Sequence, residues 1–247
     1  MKECLISSNR SARCMTTVLI TLPVYNEEAQ LRANVERVER YVRSALLHTT
    51  TIEIVDNGST DGTEIIGREL ARTIPSVKFS RINIPGRGGA ILHSWSNATE
   101  DIVGYMDIDL STDLVHLNDV LQMLDSGVID VAVGSRLAKG AVVQRGFKRE
   151  ILSRMYSALL HCSLDLCVLD AQCGFKFASR NAISKVLPSI RDREWFFDTE
   201  MIVVAHRAGL RLVEMPVKWT DDPGTTVRLG SAIVKNLLGI MRMMRRW

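Results

Sequence analysis

Asp107 and Asp109 stand one residue apart in Gly104-Tyr-Met-Asp-Ile-Asp-Leu110, at the end of an apolar run of Ile102, Val103, Tyr105 and Met106. The run predicts a buried strand. Side chains alternate along an extended chain, so both carboxylates are expected on one side. Converging there, they repel each other unless a cation lies between them. Mg²⁺ and Mn²⁺ prefer such oxygens and usually complete their shell from water and a substrate diphosphate. The spacing therefore suggests a metal clamp for a nucleotide. Solvated turns carry the same pattern, so the neighbours decide.

Four further segments carry related chemistry. In Leu22-Pro-Val-Tyr-Asn-Glu-Glu28, Pro23 stiffens a turn, Tyr25 offers a ring for a base, and Asn26 and Glu27 can hydrogen-bond. A helix cap followed by acidic residues explains Asn26 to Glu28 equally well. In Val55-Asp-Asn-Gly-Ser-Thr-Asp-Gly62, Asp56 is expected to be buried with no evident cation nearby, which suits hydrogen bonds from a nucleobase or ribose. Ser59 or Thr60 can cap the helix that follows. Pro85-Gly-Arg-Gly-Gly-Ala90 opens a helix whose amides, Gly88 included, can face phosphate. Arg87 adds a charge for a diphosphate. The turn lacks the features of a P-loop or a dinucleotide fingerprint, and an ordinary turn is an equal alternative. Val133-Gly-Ser-Arg136 sets another arginine at the same edge.

The elements that must position these residues alternate. Strands are predicted over 17–23, 51–56, 77–82, 102–106 and 130–134, with helices over 27–47, 61–71, 90–98 and 115–125. That rhythm implies an α/β fold with a mostly parallel sheet flanked by helices, and ligands bind beyond the carboxyl ends of such strands. Helices are also predicted over 147–166 and 197–208, and a strand over 211–217. Residues 1–16 read as a loose tail. Residues 231–247 read as a basic amphipathic helix, packed on the sheet, lying in a lipid interface, or both.

Bulk properties exclude several classes. The chain has 247 residues, 46% hydrophobic and 24% charged, and its net charge of +3 is too small to imply nucleic acid. Its five cysteines form no CxxC pair, so reduced thiols in a cytoplasmic setting are expected and a zinc site is disfavoured. The N-terminal stretch lacks the apolar core of a secretory signal. No window of about 18 uninterrupted apolar residues exists, so no membrane span is predicted.

On these segments the chain resembles a family-two glycosyltransferase with a GT-A (Rossmann-like) fold, and most of all the dolichol-phosphate (polyprenyl-phosphate) glucosyl- and mannosyltransferases. The resemblance covers residues 17–230. It includes Asp170-Ala-Gln-Cys-Gly-Phe-Lys176 and Trp195-Phe-Phe-Asp-Thr-Glu200, which look like acceptor-side motifs. It implies that Pro23, Tyr25, Glu27 and Asp56 hold the nucleotide. Asp107 would meet its ribose or diphosphate, and Asp109 would be the principal metal ligand, for Mg²⁺ or Mn²⁺. Arg136, Arg149 and Ser153 would lie by the sugar and the acceptor phosphate. Arg149 and Ser153 are four apart, on one helix face. Where mannosyl members often carry a metal-holding Gln, this chain has Ser111.

The implied activity is inverting hexosyl transfer from a nucleotide-sugar, UDP-glucose or GDP-mannose, to dolichyl or polyprenyl phosphate at a cytoplasmic membrane face. Amphipathic interface helices in the C-terminal half would meet the membrane, and there is room for a membrane-anchoring subunit. Transfer to a sugar hydroxyl, a sugar-1-phosphate nucleotidyltransferase and a non-catalytic nucleotide-sugar-binding subunit are the alternatives. Asp198 and Glu200 would be a base or, more plainly, favourable charges at a helix start.

Overall fold

A computed structural model describes residues 15–83, 86–221 and 229–246, without the side chains of 147–149 and 229–234. Nearly all of the expected tail and the terminal Trp247 lie outside the described residues. Strand and helix alternate through the first half: β1 (Thr17–Val24), α1 (Leu31–Ala45), β2 (Thr49–Asp56), α2 (Thr63–Thr73), β3 (Val77–Arg81), α3 (Arg87–Ser96), β4 (Ile102–Met106), α4 (His116–Asp125) and β5 (Val131–Ser135). The second half adds β6 (Val142–Gln144), α5 (Phe147–Leu164), β7 (Phe175–Ser179), α6 (Arg180–Val186), α7 (Phe197–Arg207), β8 (Leu212–Pro216), β9 (Lys218–Thr220) and α8 (Leu229–Arg246).

Seven strands form one sheet in the order β3-β2-β1-β4-β7-β5-β8. All pairs are parallel except those of β7, which runs antiparallel between β4 and β5. β6 and β9 make a separate two-stranded ribbon. The sequence reading missed both features. β7 is short, and β6 and β9 have only three residues each, too few to show a period.

Apolar alternation fills both faces. On one face Val18, Ile20, Leu22 and Val24 of β1 meet Leu31, Val35, Val38 and Val42, the buried stripe of α1. On the other, Val103 and Tyr105 of β4 pack with Trp95 of α3, Phe197 and Met201 of α7, and Ile240 and Met243 of α8. The C-terminal helix therefore closes the core, while Leu237, Leu238, Met241 and Met244 stay exposed on it. Among the described residues no helix is long and apolar enough to cross a membrane.

Candidate active site

β4 ends at Met106, so Asp107 and Asp109 lie in the turn beyond it and strand alternation does not set their directions. The turn closes through Leu110 N–H to Asp107 O at 3.2 Å, with Leu110 in the left-handed region at φ 51°. Asn34 of α1 pins it by donating to Ile108 O at 2.8 Å. The expected two-carboxylate clamp is thereby divided. Asp107 Oδ1 accepts from Arg87 Nε and Nη2 at 3.1 and 2.8 Å. Asp109 instead lines a cleft of about 620 Å³ with Gln30, Asn34, Ser111, Lys218 and Trp219.

The two loops that follow β1 and β2 are laced together. Asn26 Oδ1 accepts from Thr60 N–H at 2.8 Å, Asn26 N–H donates to Ser59 Oγ, and Glu27 N–H donates to Thr63 Oγ1. Asn26 therefore braces the second loop through its side-chain oxygen and its backbone N–H. The same bonds delay the first helix, predicted from residue 27, until Leu31. Pro23 pairs with Val55 one residue before the strand ends at Val24, and Tyr25 stands exposed. Asp56 is fully buried, but Arg81 of β3 pairs with it, contrary to the expectation of no nearby cation. Its other oxygen accepts from Ser59 N–H at 3.0 Å.

The glycine-rich turn is also put to a different use. Gly88 N–H and Gly89 N–H donate to Glu194 O and Arg193 O at 3.2 and 2.7 Å, so these amides face protein instead of phosphate. A Cβ at Gly88 would lie 2.5 Å from Phe197 Cβ, and one at Gly86 2.2 Å from Arg193 O. Close approach of the segment before α7 is what demands glycine here.

That approach brings Arg87 against Asp198 at 2.6 Å. Asp198 is buried and also meets Tyr105 Oη and Lys176 Nζ. Burial alone pushes its carboxyl up, but Lys176 and Arg87 outweigh that and hold it below the ordinary carboxylate range. Burial raises the Tyr105 phenol well above its usual value, with Asp198 adding to the rise. Glu200, two residues on, is fully buried and accepts from Arg191 N–H and Asp192 N–H at 3.0 and 2.7 Å, with Arg242 and Arg246 of α8 beside it.

Arg136 forms a two-point pair with Asp170, Nε to Oδ2 at 2.7 Å and Nη2 to Oδ1 at 2.8 Å. Its guanidinium lies 5.5 Å from the ring of Trp219, which lines the cleft. The arginine expected by the acceptor phosphate is thus braced by a carboxylate. Ser153 is half-buried on α5 and is not part of the Asp109 cleft, and the Arg149 side chain lies outside the described residues.

The donors around Asp109 fit a hard divalent ion. Among the described residues no group of three or more His, Cys, Asp and Glu is gathered as a metal cage. Mg²⁺ and Mn²⁺ are commonly held by one or two carboxylates and completed by substrate phosphate. Ser111 Oγ, next to Asp109 on the cleft wall, is buried without a hydrogen-bond partner. An oxygen left unmade in this way calls for a partner from solvent or ligand.

A parallel sheet with acidic turns at its carboxyl edge and a charged second half admits comparison with known proteins. The family described as Glycosyl transferase family 2 matches residues 19–187. The chain belongs to that family. It is 35% identical over 236 residues to Glycosyltransferase AglD of Haloferax volcanii, covering 93% of this chain and 37% of that protein. It thus spans little more than a third of that relative. It is 27% identical over 239 residues to a dolichyl-phosphate beta-glucosyltransferase of Trichomonas vaginalis, covering 92% of this chain and 72% of the relative. Glucosyl-3-phosphoglycerate synthase from Mycobacterium tuberculosis shares the fold, with a TM-score of 0.68 at 21% identity over 93% of this chain and 81% of that one. The family-two protein is therefore a glycosyltransferase with a GT-A fold, as its motifs implied.

Sequence reasoning missed Arg81 and Tyr105 as parts of the site, and placed Asp170 and Lys176 in an acceptor-side motif without their partners. Lys176 carried a signal, a lone cation between Phe175 and Phe177 in an apolar run. The pairing of the others joins positions far apart in the chain.

Proposed function

We propose that the protein transfers glucose from a UDP-sugar to a polyprenyl phosphate at a membrane surface, inverting the anomeric carbon. The observation that carries the acceptor class is the state of Asp198 and Glu200. A hydroxyl acceptor needs a base, because its proton leaves as the new bond forms. Both carboxylates in the first turn of α7 are instead saturated by cations and N–H groups. A phosphate monoester needs no base, since its second pKa is about 6 and it is already ionised near neutrality. Dolichyl-phosphate beta-glucosyltransferases among the relatives support the same acceptor and sugar. For the donor, the related fold crystallised with Mn²⁺ and UDP gives support.

In this reading Asp109, with Ser111 beside it, would hold a divalent ion, which would supply positive charge to offset the leaving diphosphate, while Asp107 pairs with Arg87. Tyr25 stacks on the base, Pro23 and Glu27 shape its pocket, and Asp56, held by Arg81, accepts from it. Arg87 adds positive charge behind Asp107. Arg136, held by Asp170, and Arg149 and Ser153 on α5 orient the acceptor phosphate for attack on the face opposite the diphosphate. Catalysis is then mostly positioning and charge compensation.

The acceptor's tail stays in lipid, and the exposed apolar residues of α5 and α8 suit that interface. Ile151, Leu152, Met155 and Leu159 on α5 and Leu238, Met241 and Met244 on α8 lie among arginines that attract anionic headgroups. The test supplies labelled UDP-glucose and Mn²⁺ or Mg²⁺ with a short polyprenyl phosphate, and in parallel arms a glucoside hydroxyl acceptor or GDP-mannose. Label is expected in the lipid phosphate alone. Transfer to the hydroxyl acceptor in preference to the phosphate rules the reading out.

A further inference from the structure

A line of alternating charge runs from the middle of the sheet to the turn beyond β4. Lys176 on β7 is fully buried, and its ammonium lies 3.1 Å from Asp198 Oδ1 and 3.0 Å from Tyr105 Oη. It also donates to Cys173 O at 2.6 Å. Asp198 Oδ2 meets Arg87 at 2.6 Å, and Arg87 meets Asp107 at 2.8 Å. Only the last member reaches solvent to a large extent, with 41% of the Asp107 side chain exposed.

Burying a charge inside a sheet is costly even when it is paired. One cation suffices to neutralise Asp198, and two are present. If Arg87 alone served Asp198, its charge would be spent there. With Lys176 matched to Asp198, the charge of Arg87 remains for Asp107 and lessens the negative charge that a diphosphate near that carboxylate would meet.

We propose that Lys176 is a positioning residue that sets the charge of the nucleotide site from behind. It neutralises Asp198, so that Arg87 presents its positive charge to Asp107 and the donor diphosphate. Tyr105 holds the geometry, since its hydroxyl meets both Lys176 and Asp198 and its ring lies 4.9 Å from the Arg87 guanidinium. The proposal deepens the UDP-sugar reading and rests on it. It differs from a purely structural role in the sign of its effects. Loss of the lysine lets Asp198 draw on Arg87, whereas loss of the Asp198 charge releases Arg87.

Calorimetric titration of UDP into the full chain with Mn²⁺ present tests this, with thermal midpoints recorded as a control for folding. Lys176→Met is expected to bind UDP about tenfold more weakly, and the Lys176→Met/Asp198→Asn pair to return to within about threefold of the parent. Asp198→Asn alone is expected to bind at least as tightly as the parent. Tyr105→Phe, which keeps both charges, serves if Lys176→Met does not fold, and is expected to lose about threefold in affinity. Weaker binding in Asp198→Asn, or unchanged binding in a folded Lys176→Met or Tyr105→Phe, overturns the proposal and leaves the donor reading standing. A parent protein that binds no UDP overturns the donor reading and this inference with it.

Discussion

At the ends of β1, β2 and β4 the acidic groups are set by short turns. Ser59 N–H meets Asp56 and Ser111 N–H meets Asp109, each within a few residues of its partner. Across β7, β5 and β8 the charges come instead as pairs joined through the fold. Arg136 and Asp170 are 34 positions apart, and Arg87 and Asp198 are 111 apart. The first arrangement leaves Asp109 on the wall of the cleft and holds Asp56 buried beneath its loop. The second spends most of its charges on one another and fixes what lies around the ligand.

The sharpest way to break this contrast is at Asp109. Its replacement by alanine removes a carboxylate on the cleft wall and the turn bond it accepts from Ser111 N–H. Transfer is expected to fall by about a thousandfold, with a melting midpoint within about 2 °C of the parent. Near-parental turnover would refute the assignment of charge compensation to the turn side. Asp170→Ala probes the other half and should act through stability. It leaves the nearly buried Arg136 guanidinium without its partner, at a cost of about 3 kcal/mol in urea unfolding. A fully stable variant would show that the paired half is not held together by its pairs.

The same contrast explains what could be read from the chain alone. Five strand ends and the helices between them follow from local runs, and each reads correctly to within a few residues. The antiparallel β7 does not, because its place between β4 and β5 is decided by packing of Phe175 and Phe177 across the sheet. The glycine-rich turn reads locally as a phosphate cradle. Its amides go to Arg193 and Glu194, residues that no pattern near Gly88 points to. Asp56 looked free of cations because Arg81 lies 25 positions on, at the far end of a strand predicted only weakly. Turn chemistry is visible in sequence, whereas pairing chemistry needs the fold.

Asp130 and Arg211 give the smallest effect and refine the comparison, because this pair lies in the paired half yet is exposed at the arginine. Arg211 donates to Asp130 through Nε, Nη2 and its backbone N–H, each at 2.9 Å, tying the start of β5 to the start of β8. Those bonds hold the Asp130 carboxyl down at about 2, against an ordinary value of 3.8. The depressed value means that the ionised form is favoured by folding, so the contribution is fully present above 3.8 and is lost as pH falls through about 2. Urea midpoints of the parent and Asp130→Asn should therefore differ at neutral pH and converge over that acid window. A gap that persists at the acid end would mean that the aspartate acts through packing of the β5–β8 edge, and that pairing by charge belongs only to the buried members of this half.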